Sequence, residues 1–224
     1  MKKTLLYFFF AVSLGEILSI LISAEGAQFF FKPLIMITLG AYYRVSTSGE
    51  DRSNSLVASI LFSLIGDVLL MFQRDTTPYF MLGLASFLIA HVFYILTYRQ
   101  HKSDAAGNSL QGIQRIRFAF PIILAGTGLI VILYPVLGNL KFPVILYALI
   151  MVVMVLNALF RYGHTNYKSF WMVLSGAMLF MISDAVLAIN KFLQPMENGV
   201  LIVMLTYSAG QFLIVRGLMQ HYKK

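Results

Sequence analysis

No cysteine occurs among the 224 residues, which excludes disulfides and thiolate metal sites and leaves the redox compartment open. Charge is scarce too. Lys, Arg, Asp and Glu make up 12% of the chain against 59% hydrophobic residues, and mean hydropathy is +0.79. Such a composition excludes an ordinary soluble domain and makes the bilayer the solvent. Of the four histidines, only His91 falls in an apolar run. His101, His164 and His221 fall in loops or the tail, which argues against a buried multi-histidine metal site. Long polar segments are missing apart from residues 99–116.

What remains is a series of apolar windows near the about 20 residues that a spanning helix needs. Eight can be drawn: 4–23, 28–44, 54–73, 77–98, 117–136, 142–160, 169–190 and 198–218. Backbone groups in lipid need internal partners, and runs this continuous favour helices over a closed barrel. The expected fold class is an all-α polytopic membrane protein with eight transmembrane helices in a single integral-membrane domain, 1–224. Its halves, 1–98 and 117–224, flank a cytoplasmic loop at 99–116.

Orientation follows from the 17 Lys and Arg residues. Thirteen fall at the amino end, in the even-numbered loops and in the tail. The four on the other side are Lys32, Arg74, Lys141 and Lys191. The excess places both termini in the cytoplasm. It also accounts for the net charge of +8 as a topology bias, so no nucleic-acid partner is expected. Small size, minimal loops and short termini point to a bacterial inner membrane. The first window follows Met-Lys-Lys and has the look of a signal peptide, but Ser13, Glu16, Ser19 and Ser23 form a polar stripe that a discarded segment does not need.

Two acids interrupt the apolar windows in matching frames. Asp67 follows Ser63 and Gly66 in the third window, and Asp184 follows Phe180 and Ser183 in the seventh, 117 residues later. A buried ionisable side chain costs roughly 2.5 to 3.5 kcal/mol at a helix centre, so it usually faces protein or water and serves a function. Like depth on like-oriented helices suggests a weak four-plus-four parallel repeat. Glu16 is a third acid inside a window, as well suited to partnering another buried polar group as to direct catalysis.

Other polar points lie on the same faces. Pro33 is expected at an early helical position, with Lys32 near the outer interface, placed to meet a lipid phosphate or to snorkel. Gly83, Phe87, His91 and Tyr94 share a stripe of the fourth helix. Tyr147 and Asn157 mark the sixth, and Tyr207 and Gln211 stack one turn apart on the eighth. A hydrogen-bond network holding helices in register accounts for these last four as well as a substrate-binding role does.

Taken together, Lys32-Pro33-Leu34, Phe62 through Asp67 to Leu70, Gly83 through His91 to Tyr94, Tyr147, Phe180 through Ser183-Asp184, and Tyr207 through Gly210-Gln211 resemble the successive motifs of the YhhN-type lysoplasmalogenase family. The resemblance runs in order from the second helix to the eighth. Gly210 stands where the family pattern has Ala, and Glu16 lies outside the pattern. The resemblance implies an integral-membrane hydrolase that cleaves the vinyl ether bond of a lysoplasmalogen to a fatty aldehyde and a glycerophospho-base. It needs no cofactor and no metal, and its partners are a lysophospholipid substrate and membrane lipids.

The residues suit that chemistry. A vinyl ether is hydrolysed by protonating its outer alkene carbon, which gives an oxocarbenium ion that water captures as a hemiacetal. One acid donates while another anion stabilises the cation, as two carboxylates in unlike environments can do. The expected catalytic residues are Asp67 and Asp184. Lys32, Ser63, His91, Tyr94, Tyr147, Asn157, Ser183, Tyr207, Gln211 and Glu16 are expected to bind or orient the substrate, with Arg74 and Lys191 as further phosphate contacts. Two other classes stay open. An intramembrane aspartyl protease would also use two helix-borne Asp residues, and a proton-coupled transporter would use acids in paired halves.

Overall fold

A computed structural model describes residues 1–47, 49, 51–72, 77–103 and 109–221. Arg74, Asp104, Lys223 and Lys224 lie outside the described residues. Among the described residues eight long helices make up most of the structure: α1 Lys2–Leu21, α2 Glu25–Ser46, α3 Asn54–Met71, α4 Thr77–Gln100, α5 Gly112–Leu133, α6 Lys141–Leu159, α7 Tyr167–Phe192 and α8 Gly199–His221. Two short 3₁₀ turns, Tyr134–Val136 and Gly138–Leu140, link α5 to α6. No strand occurs among the described residues.

Seven of these helices are long and apolar enough to cross a membrane. The one outside that set is α2, where Glu25, Gln28, Lys32 and Arg44 lower the hydropathy. Outward faces carry large apolar side chains, such as Phe8, Leu14, Leu18, Leu61, Leu124 and Val131. Contiguous apolar surface of this extent is incompatible with water, and the chain is an integral membrane protein.

Helix boundaries depart from the sequence windows in three instructive places. α1 ends at Leu21, and Ser23 takes a positive φ of 55° in the following turn, so it leaves the polar stripe. α2 begins at Glu25, which puts Pro33 inside the helix and not in its first turn. Proline removes one backbone donor there, a loss that neighbouring groups in a membrane bundle can make good. α5 begins at Gly112, five residues before the expected 117, and the Arg115 guanidinium in that extra turn lies 4.0 Å from the Phe160 ring centroid.

The chain forms two compact units, Met1–Tyr94 and Ile95–Lys224. In the first, α1 packs on α2 and α2 on α3, while glycines bring α3 and α4 together. A Cβ at Gly66 would stand 2.6 Å from the Phe87 ring, and one at Gly83 would stand 2.8 Å from Leu70. Ser86 Oγ, on α4, donates to the Phe62 carbonyl of α3 at 2.6 Å. In the second unit, α6 packs on both α5 and α7, and α7 packs most closely on α8. A Cβ at Gly210 would lie 2.9 Å from the Gly176 carbonyl oxygen. Backbone lies against backbone at that point, an approach that the missing side chains of Gly176 and Gly210 permit.

Candidate functional site

In the first unit three helices each contribute a buried or half-buried ionisable side chain. Glu16 is 1% exposed and Asp67 is 3% exposed, while Lys32 is half-buried. Short turns and antiparallel packing put the end of α1, the start of α2 and the end of α3 on one side. Glu16, Lys32 and Asp67 lie five, seven and four residues inside those ends, or about 6 to 10 Å at 1.5 Å per residue. Glu16 lies close enough to Lys32 and Asp67 to couple electrostatically to both. Its Oε2 is buried and has no hydrogen-bond partner among the described residues. The neighbouring serines are satisfied within their own helix, Ser13 Oγ donating to Phe9 O at 2.9 Å and Ser19 Oγ to Gly15 O at 2.7 Å.

Ser63 and Asp67 lie one turn apart on the buried face of α3, beside the Gly66–Phe87 contact with α4. The α4 stripe is buried as its spacing predicts: Phe87 is 5% exposed, and His91 and Tyr94 are completely enclosed.

In the second unit the Tyr147 hydroxyl donates to Asp184 Oδ2 at 2.5 Å, with both side chains buried. A hydroxyl donating to an ionised carboxylate is a charge-assisted bond, roughly twice as strong as a neutral one. The face of α7 that carries Asp184 is pinned to α8. Ser183 Oγ donates to the Val203 carbonyl at 3.0 Å, and the Phe180 and Tyr207 rings meet edge to face with centroids 5.5 Å apart. Gln211, one turn beyond Tyr207, is fully buried.

Asn157 takes another place. It lies ten residues from Tyr147 along α6, about 15 Å away. There its Oδ1 accepts from Arg99 Nε at 3.0 Å, and its Nδ2 donates to the Val153 carbonyl at 2.8 Å. The structure therefore separates Asn157 from the Asp184 end of the unit. Lys191 sits in the last turn of α7.

One buried ion eluded the sequence. Arg161 follows an apolar window and reads as an ordinary loop charge, yet it is fully buried. Its Nε donates to the His101 carbonyl at 3.3 Å and its Nη2 to Ser169 Oγ at 2.9 Å. Burial pulls the guanidinium down to about 10, and it pulls the His101 imidazole, which lies against Thr97 O at 2.8 Å, down to about 4. Asn166 completes this end by capping α7 through Ser169 N at 2.8 Å and donating to the Gln220 carbonyl at 2.6 Å. These bonds tie the end of α4, the α6–α7 turn and the end of α8 into one block. Among the described residues no group of three His, Asp or Glu side chains stands together as a metal site would require.

The model of the YhhN family matches residues 27–218, a stretch that holds every candidate site residue except Glu16. The chain is 27% identical over 183 residues to human lysoplasmalogenase TMEM86B, covering 82% of this chain and 71% of that protein. It is 30% identical over 189 residues to the lysoplasmalogenase of Mycobacterium bovis, covering 84% and 68%. Human lysoplasmalogenase TMEM86A is 28% identical over 182 residues, covering 75% and 69%. No solved structure matches the chain.

Proposed function

The chain belongs to the YhhN family, and from that premise we propose that it is a lysoplasmalogenase, hydrolysing the vinyl ether bond of a lysophospholipid to a fatty aldehyde and a glycerophospho-base. The observation that carries the reading is the kinship with human and mycobacterial proteins named for this activity, over most of this chain's length. Membrane character supports it, because a one-chain lipid reaches the protein from the bilayer. Small size and minimal loops favour a bacterial inner membrane.

The proposed mechanism is general acid catalysis by one aspartic acid with electrostatic support from the other. Asp67 in its protonated form delivers a proton to the outer alkene carbon, and the alkene's electron pair forms the new C–H bond. Positive charge develops across the inner carbon and the ether oxygen, where Asp184 as a carboxylate stabilises it. The Tyr147 hydrogen bond to Asp184 supports that division of roles, since a charge-assisted bond favours an anionic acceptor. Water adds to the inner carbon and surrenders a proton to a carboxylate. The resulting hemiacetal collapses to aldehyde and alcohol without a covalent enzyme intermediate, so no nucleophilic Ser or Cys is required.

The lipid phosphate is assigned to Lys32, whose half-buried ammonium enters at the same end of its unit as Asp67. His91, Ser63 and Tyr94 are assigned to orienting the Asp67 side of the site, and Ser183, Tyr207 and Gln211 to orienting the Asp184 side. The test is incubation of detergent-purified protein with vinyl-ether and ester lysophospholipids of equal chain length. Aldehyde from the vinyl ether, with no fatty acid from the ester, is the expected result. Fatty acid release, or no product from either, overturns the assignment.

A further inference from the structure

At the end of the first unit away from Asp67, a cleft of about 420 Å³ opens between the later turns of α2 and the first turns of α3. Its volume lies within the range of small-molecule sites. Its walls are apolar and face outward, with Ile37, Val57 and Leu61 all exposed. Gly40 keeps the floor low, since a Cβ there would stand 3.3 Å from Ile60 Cγ2. Val57 and Leu61 lie on a different face of α3 from Ser63 and Asp67, which separates the cleft from the candidate site.

The mouth has the opposite character, for Arg44 and Arg52 both line it. Arg52 Nη2 donates to the Arg44 carbonyl at 3.1 Å, which holds the guanidinium over the last turn of α2. Its Nε is buried and has no hydrogen-bond partner among the described residues. The corner beneath is rigid, because Ser53 N donates to the Tyr43 hydroxyl at 2.8 Å and Ser53 Oγ accepts from Leu56 N at 3.3 Å. The acid nearest in sequence, Asp51, is half-buried and has interactions of its own. Two cations, one with a buried donor unpartnered among the described residues, thus stand at the rim of a lipid-facing apolar slot.

We propose that this cleft binds an acidic membrane phospholipid of the phosphatidylglycerol type, its phosphate between Arg44 and Arg52 and one acyl chain along the α2–α3 slot. Charge complementarity selects this occupant, because basic pockets between membrane helices hold anionic headgroups and the apolar walls need a hydrocarbon cover. The lipid here is a bound ligand and not the molecule hydrolysed.

Native mass spectrometry of the full chain tests the proposal, with phosphatidylglycerol, phosphatidylethanolamine or glycerol 3-phosphate titrated into the micelles. Wild type is expected to saturate with one phosphatidylglycerol and to hold the other two far more weakly. Arg44→Gln with Arg52→Gln should weaken retention about thirtyfold, each charge near a membrane surface being worth roughly fivefold. Arg44→Lys with Arg52→Lys, which keeps both charges but removes the Nε donor, should fall between wild type and the double Gln variant. Gly40→Leu, which fills the slot and leaves both arginines intact, should lose it, and this variant decides the matter if the double Gln variant does not fold. Unchanged retention in Gly40→Leu or the double Gln variant overturns the proposal. So does equal binding of phosphatidylethanolamine, or glycerol 3-phosphate binding as tightly as the whole lipid. Because bound lipid is read and not aldehyde, the result is independent of the proposed hydrolase activity.

Discussion

Replacing Asp184 by asparagine separates a catalytic carboxylate from a structural one, because the two roles predict opposite pairs of results. Asn preserves the side-chain size and still offers an oxygen to the Tyr147 hydroxyl, which donates to Asp184 at 2.5 Å. What changes in the folded protein is the class of that bond. A hydrogen bond to a charged group is worth about 1.5 to 3 kcal/mol and a neutral one about 0.5 to 1.5, so the bond weakens by about 1 kcal/mol. The lighter desolvation of a buried amide relative to a buried carboxylate offsets part of that loss. Folding stability should therefore move little. Turnover should move a great deal, since a preorganised group that stabilises charge developing in the transition state is worth about 10² to 10³ in rate, or roughly 2.7 to 4 kcal/mol of barrier. The assay is aldehyde release from a vinyl-ether lysophospholipid, coupled to an aldehyde dehydrogenase, alongside thermal unfolding of the same preparation. Tyr147→Phe supplies the internal control: it should reduce turnover in wild type but have little further effect in the Asp184→Asn background, because the charge that the hydroxyl supports is already gone. A well-folded Asp184→Asn protein that keeps more than about a tenth of wild-type turnover has lost under about 1.4 kcal/mol. That outcome would sink the paired-carboxylate mechanism.

Three further outcomes are expected. Asp67→Asn should also abolish most turnover, the double Asn variant should be little worse than the poorer single, and His91→Ala should be milder; additive losses from the two Asp changes would show that the acids do not act as a unit. Reporter fusions after Lys224 and near Thr76 should report opposite sides of the membrane, with the carboxyl terminus cytoplasmic, and a shared side would refute the topology read from the arginine and lysine bias. Stability should fall as pH drops from about 6.5 towards about 4 and then level off, because burial depresses the His101 imidazole and the unfolded chain binds its proton first; His101→Asn should flatten that part of the curve, and an unchanged slope would assign it to another group.

The number and approximate place of the helices, the membrane as solvent and the two Asp frames were legible in the sequence, because each depends on residues close together in the chain. Hydropathy over a helix-length window carries the first two, and a carboxylate in an apolar run stands out against its neighbours. The buried stripes were legible too, since a period of 3.6 put Ser63 with Asp67 and Phe87 with His91 before any packing was known. Tertiary structure decided what depends on distant residues. Nothing near Tyr147 announces that its hydroxyl meets Asp184, 37 residues on, and nothing near Arg161 announces burial, because the groups that accept from its Nε and Nη2 lie just beyond α4 and at the start of α7. The start of α5 at Gly112 goes with Arg115 finding the Phe160 ring, a partner supplied by another segment. The need for glycine at position 210 becomes intelligible only once the Gly176 carbonyl lies against it. Period and composition reveal which face of a helix is buried, whereas the partner on the far side of that face is set by how the helices pack.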